Sequence, residues 1–488
     1  AIVTESEDEA LLEAWVGGEN LGIDTVIADM EKAVVRGEFY PLLPINPMSG
    51  LGILEVLELI AKGFPSPVEH AKVSVTRPDG TPRADLPCDP NGPLLAEVIK
   101  TTSEPYVGKL SLVRVFSGTV RPETPVHVSG HFAAGSTHTD HDVDERIGNL
   151  SSPLGKTQRQ VPAGIAGDIV AVAKLSRAET GDTLSEVSDP LLLQPWQVPQ
   201  PLLPTAIVAR TKSDEDKLAK SLSRLLAEDP SLVLESKEDT GQQVLWCLGE
   251  AHLDVVLDRL SNTYGVDVDT EPLKVSLRET FSGPAEGRGR NVKQSGGHGQ
   301  FGVCEIEIEP LPQGTGFEFV DKVVGGAVPR QYIPSVEKGV RAQMDRGIAA
   351  GYPVTDIRVT LVGGKAHSVD SSDMAFQTAG SLALKDAATK TPVSLLEPVA
   401  EIAVVVPDDY VGAVMTDLSI RRGRLTGTDS AGGGFAKVTA EVPEIELTRY
   451  VVDLRSMSHG TGHFTRRHIG YQPMPTAQAE KIKAAAQG

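Results

Sequence analysis

Cysteine is scarce in this 488-residue chain: three residues, Cys88, Cys247 and Cys304, odd in number and far apart. That excludes a disulfide framework and points to a reducing compartment. No apolar run approaches the ~20 residues of a membrane span. The longest candidate, "LLLQPWQVPQPLLPTAIVA", is broken by prolines. The first ten residues, "AIVTESEDEA", are acidic, without the apolar core of a signal peptide and without an initiator Met. The expectation is a cytoplasmic protein with no membrane partner, read here from inside a longer chain. Positive charge is in deficit: 46 Lys+Arg against 66 Asp+Glu gives a net charge of −20. Whole-molecule attraction to nucleic acid is thereby excluded. Local basic clusters are not, because exposed charges are screened beyond about 8 Å at physiological salt.

What is present is length and punctuation. The size suggests about three to four domains, and a 40% apolar fraction supports packed cores. Residues 1–68 are largely helical, with Ser49 as N-cap of "ILEVLELIAKG" and a short strand, "FYPLLPI", before it. Residues 69–199 carry short strands with Gly and Pro between them, which argues a β-barrel. The segment "HFAAGSTHTDHDVDERIGNLSS" reads as a loop inserted in it. Residues 200–272 run strand, helix, strand, strand, helix, strand, the ferredoxin-like order, the first helix opening on a capping box from Ser213 to Asp216. Residues 399–488 repeat that order. Between them, residues 273–398 hold two helices and a glycine-rich stretch. The fold class is multidomain α+β.

That stretch, "SGGHGQFG", contains G-x-G-x-x-G at Gly297, Gly299 and Gly302. The pattern binds a dinucleotide only where a strand precedes it and a helix follows. Here "VCEIEIEP" follows, apolar at every second residue, hence a strand. The glycines then sit in a loop between strands, where they let backbone approach something closely.

Long, specific segments carry a resemblance. "EPYVGKLSLVRVFSGTV", "EDTGQQV", "LGEAHLDVVLDRL", "KQSGGHGQFG", "SVDSSDMAFQTAGSLALKDA" and "EPVAEIAVVVPDDYVGAVMTDLSIRRGRLTG" together make the chain resemble elongation factor G and its translation-GTPase relatives, over nearly its whole length. The resemblance implies the C-terminal remnant of a GTPase domain (1–68), a translation-factor β-barrel (69–199), a ferredoxin-like third domain (200–272), an elongated fourth domain (273–398) and a ferredoxin-like fifth (399–488). It implies as partners the ribosome, its RNA and proteins, with transfer and messenger RNA at the decoding site, for a monomeric factor. Neither G-x-x-x-x-G-K-[ST] nor N-K-x-D occurs in the sequence. No phosphate cradle exists here, so this chain has no catalytic residues for GTP hydrolysis and no cofactor of its own. GTP and Mg are expected of the intact parent. The family's last guanine-binding stretch falls near "PINPMSGLGI", where a Ser-Ala pair is replaced by Asn46-Pro47 nearby. That departure puts nucleotide handling in question and leaves a second reading, a non-translocating ribosome binder in recycling, protection or stress. A folded interaction protein with no ribosomal role is the third.

The resemblance puts two loops at the tip of the fourth domain. Lys293, Gly296, Gly297, His298, Gly299 and Gln300 belong to the first, Lys365 and His367 to the second. Glycine admits backbone to RNA, and Lys, His and Gln donate to phosphate, ribose or bases. Two plain hairpin turns with surface histidines are the alternative. Arg421, Arg422 and Arg424 in "RRGR" either contact ribosomal RNA or protein, or serve the C-terminus of their helix through its dipole. "TRRHI" and "GRGRNVK" are ambiguous for the same reason. His131, His138, Asp140 and His141 are metal-donor types with no strong spacing, and are read as a solvated loop. Glu250 and His252 open a helix, and the resemblance assigns that segment to domain packing rather than chemistry.

Overall fold

The computed structural model describes residues 9–35, 40–69, 72–104, 108–131, 139–155, 157–293 and 299–487. The chain divides into two compact units, residues 1–198 with 223–230, and residues 199–222 with 231–488.

In the first unit, helices Glu9–Val16, Ile23–Val35 and Ile53–Gly63 precede the strands. The last of these does not start at Ser49. Its N-cap is Gly52 at φ 80°, while Ser49 lies in a turn whose amides, with that of Met48, donate to Asn46 Oδ1. The described residues of "FYPLLPI" form no strand; an isolated bridge between Asn46 and Leu51 follows them. Eight antiparallel strands then form one sheet around a core of Val98, Val113, Val128, Ile147, Leu150, Val172 and Leu184. Residues 132–138 of the expected inserted loop lie outside the described residues, and two strands run through the rest of it. His141–Arg146 pairs with Pro125–Gly130, and Leu150–Leu154 pairs with Thr157–Gln160 and Ile169–Ala173.

The second unit contains three sheets. In the third domain the strands lie in the order Val233–Lys237, Gln242–Cys247, Leu203–Ala209, Val268–Glu271, all antiparallel, with helices Glu215–Glu228 and Glu250–Asn262 as crossovers. This is the ferredoxin-like order. Its first helix is not opened by Ser213. A 3-10 turn, Lys212–Asp214, leads in, and Thr211 Oγ1 bonds Asp214 instead. The fifth domain repeats the order with Arg424–Gly432, Phe435–Pro443, Val393–Pro407 and His463–Pro473.

The fourth domain has a four-stranded sheet, in the order Ala285–Lys293, Gln300–Pro310, Ile357–Lys365, Phe317–Asp321. Helices Ile333–Arg346 and Asp373–Lys390 contribute to its core, through Val336, Val340 and Met344 and through Phe376, Ala379 and Ala383. Every second residue of "GRGRN" turns inward, and the inward ones are small for a reason. A Cβ on Gly289 would lie 1.7 Å from the Ala379 carbonyl oxygen, and one on Gly287 2.1 Å from that of Ala383. Glycine here brings helix and sheet into backbone contact. At the base, fully buried Glu279 accepts from four amides, those of Ile348, Ala349, Ala350 and Tyr352, at 2.7–3.1 Å. It thereby anchors the turn between Ile333–Arg346 and Ile357–Lys365. The strand carrying Glu279, Arg278–Phe281, pairs with Val393–Leu396 at the start of the long strand that enters the fifth domain.

Candidate nucleic-acid interface

Antiparallel register brings the two expected loops together. Lys293 faces Gln300 across the hairpin, and Val303 faces Lys365 on the next strand. Gly296, Gly297 and His298 lie outside the described residues. The rest of the first loop is joined to the second. Phe301 N–H donates to Asp370 O at 2.8 Å, and Ser371 Oγ donates to Phe301 O at 2.8 Å. The rings of Phe301 and His367 are 5.8 Å apart, tilted by 46°. Gly299 lies against the Asp370 carboxylate, where a Cβ would approach Asp370 Cγ to 2.8 Å. Gly302 backs onto the Ala375 carbonyl, a contact of 2.7 Å for an added Cβ. These glycines serve close packing, and Gln300–Pro310 is a strand, so no helix N-terminus awaits a dinucleotide.

Below the tip, Ser372 caps helix Asp373–Lys390 by accepting from Ala375 N. Tyr332 OH donates to Ser371 O at 3.0 Å, and Ser335 Oγ to Asp373 at 2.6 Å. A firm base thus carries an exposed end. The His367 side chain is 50% accessible, and Lys293, Gln300 and Lys365 are exposed.

Charge is graded along the sheet. Arg290, Val303 and Lys365 form one cross-strand row near the tip, with Lys293 beyond it. Among the described residues, Arg290, Lys293 and Lys365 have no ion-pair partner. Farther down, Arg288 pairs with Glu305 at 3.4 Å, Glu286 faces Glu307, and Arg358 is held by Glu309 and Glu318. Three cations without an ion-pair partner among the described residues therefore stand at this end of an acidic chain. Within "GRGRNVK", the alternation of Gly and Arg is the sequence signal that Arg288 and Arg290 face outward.

The arginines of "RRGR" are placed elsewhere, in the fifth domain, and two of them are bound internally. Arg422 Nη1 and Nη2 meet both oxygens of Glu397 at 2.6 and 2.9 Å, and its Nε meets Glu446 at 3.0 Å. Arg421 bridges Asp417 and Asp453, donates to Glu446 O, and lies 5.0 Å over the Tyr450 ring. Arg424 pairs with Glu441 yet stays 73% exposed. In "TRRHI", Arg466 lies over the Trp246 ring at 4.6 Å and pairs with Glu444, which also receives His468.

The remaining described candidates have partners within the chain. Glu250 pairs with Arg449 of the fifth domain, a packing contact between domains. His252 Nδ1 accepts from Leu248 N–H. His131 bonds Asp142 and His141 bonds buried Asp182, both at 2.9 Å; His138 lies outside the described residues. Among the described residues no three His, Cys, Asp or Glu side chains are grouped to hold a metal ion. No described helix is long and apolar enough to cross a membrane.

Comparison with known proteins adds to this geometry. Four family models match in succession: elongation factor G domain 2 over residues 93–187, domain III over 198–272, domain IV over 273–391, and the elongation factor G C-terminus over 394–482. An elongation factor G-like protein of Mycobacterium tuberculosis (strain CDC 1551 / Oshkosh) is 62% identical over 491 aligned positions, covering 99% of this chain and 69% of that protein. The chain belongs to the elongation factor G-like family. It is a translation factor resembling elongation factor G. An elongation factor G-like protein of Thermotoga maritima is 37% identical over 98% of the chain and 68% of its own length. A crystal structure of a Thermus thermophilus protein superposes with a TM-score of 0.75 at 33% identity, covering all of this chain and 68% of that one.

Proposed function

We propose that this factor binds the ribosome and acts in translocation of transfer and messenger RNA, with the joined tip of residues 299–301 and 365–371 facing RNA. The observation that carries the proposal is the pairing of the two loops into one exposed end bearing unpaired Arg290, Lys293 and Lys365 on a chain of net charge −20. Cations so placed neutralise phosphates and release counterions. Arg424 is a further outward cation of the fifth domain; Arg421 and Arg422 support their own domain.

In the intact parent, GTP with Mg supplies the conformational bias, and this chain supplies the arm. Exposed apolar side chains in residues 40–68, among them Leu42 at 94% and Met48 at 97%, support the reading of that stretch as part of a GTPase domain. One observation favours the second reading, a ribosome binder that does not translocate. Asn46, in the stretch that resembles a guanine-binding segment, uses its side-chain oxygen to cap its own turn.

The test is the intact parent on stalled ribosomes with GTP, scored for messenger movement by primer extension. Movement that is lost on Lys365→Ala with His367→Ala supports translocation by this tip. Binding without movement supports the second reading. No co-sedimentation of this chain with ribosomes at low salt contradicts both.

A further inference from the structure

Resting on the nucleic-acid reading of the tip, the geometry points to Ser371 as the positioning residue that turns a fixed N–H donor of His367 outward. One hydroxyl carries both tip loops: Ser371 Oγ accepts from His367 N–H at 2.8 Å and donates to Phe301 O at 2.8 Å. The Ser371 amide returns to His367 O at 3.3 Å, closing residues 367–371 into a tight turn. Inside that turn the amides of Val369 and Asp370 both donate to His367 Nδ1, at 3.3 and 3.2 Å.

Two amide donors require a lone pair on Nδ1, which places the proton of the neutral ring on Nε2. When the ring is protonated, Nδ1–H faces the Asp370 carboxylate at 3.2 Å, and Nε2 still carries hydrogen. In both states His367 shows its surroundings a donor. Gln300 is biased the same way, because Asn291 Nδ2 donates to its Oε1 at 3.4 Å and leaves the NH2 group outward. With Lys293 and Lys365 beside them, the end of the domain offers donors. It takes acceptor atoms of nucleic acid: purine N3, pyrimidine O2, ribose oxygen or phosphate oxygen. Ser371 touches none of these itself.

The test uses the full chain, with two-bond proton–nitrogen correlation spectra of the His367 ring recorded in its neutral form. Wild type shows the Nε2–H tautomer. Ser371→Ala shows mixed tautomers, and ribosome affinity falls about tenfold, the effect of one to two hydrogen bonds. Amide shifts of helix Asp373–Lys390 verify folding. Should the Ala variant fail there, Ser371→Cys, of similar shape but a weak donor, replaces it. An unchanged tautomer in a folded variant overturns the inference, as does unchanged affinity in Ser371→Ala where His367→Ala is weakened. If His367→Ala and Lys365→Ala both bind normally, the nucleic-acid reading falls, and the tautomer result alone decides the role of Ser371.

Discussion

Replacing Arg422 with Ala removes one half of an enclosed ion pair and separates its two readings, contact residue or internal brace. The Glu397 side chain is 1% exposed and that of Arg422 26%, so removal leaves a buried carboxylate without its bidentate partner. Breaking such a pair costs about 3–5 kcal/mol. The other partner, Glu446, is 32% exposed and can turn to water. Arg422 also sits at φ 61°, a left-handed conformation that costs a side-chain-bearing residue about 1–2 kcal/mol. Arg422→Gly relieves that strain and should lose about 1 kcal/mol less than Arg422→Ala. Because a multidomain chain does not unfold in one step, the assay is amide hydrogen exchange in strand Val393–Pro407. Exchange there should quicken roughly a hundred- to several-thousand-fold in Arg422→Ala, the equivalent of that energy. A change below about tenfold, accompanied by weakened ribosome binding, would refute the brace and return Arg422 to the contact surface.

Other consequences follow from the same contacts. Gly289→Ala must displace helix Asp373–Lys390, since its Cβ would meet a backbone oxygen at 1.7 Å; it should cost about 3 kcal/mol. Gly363→Ala meets only the flexible end of Glu305 at 3.3 Å and should stay within about 0.5 kcal/mol, both read by amide hydrogen exchange in the strands of the fourth domain. Glu279→Ala strands four amides and should loosen the base of the fourth domain by at least about 3 kcal/mol, seen as faster exchange in Ile357–Leu361. The hydrogen bond to Asp182 raises the His141 pKa above its ordinary value, against an opposing effect of burial. The protonated ring thus stabilises the fold. That stability is complete below the ordinary imidazole value of about 6.5 and disappears as pH rises through the raised one. Melting of the barrel should therefore weaken with rising pH in wild type, and less so in His141→Gln.

The ferredoxin-like orders were legible because their strands alternate and their helices carry apolar residues at helical spacing. Within the loop expected over residues 131–152, the strand His141–Arg146 was missed because "HDVDER" puts polar groups on both faces. That strand is held by pairing with Pro125–Gly130, a partner that local pattern does not reveal. Ser49 and Ser213 had the right residue type for caps, but one helix starts at Gly52 with no side-chain cap and a 3-10 turn, Lys212–Asp214, precedes the other. The tip was found by resemblance; its unpaired state was not, since pairing depends on residues distant in the chain. Arg421 and Arg422 illustrate the converse. Glu397, Glu446 and Asp453 lie 24 to 32 positions away and come together only in the folded domain.

The most direct measurement is cleavage of RNA from the tip itself. The intact parent, with Lys365→Cys tethered to an iron chelate, is bound to ribosomes and treated to release hydroxyl radicals. Cuts in small-subunit RNA and in bound transfer or messenger RNA, absent when the chelate is moved to Gly314 at the other end of the sheet, are the predicted result. Equal cutting from both positions, or none from Lys365→Cys on ribosomes that retain the factor, would contradict the account.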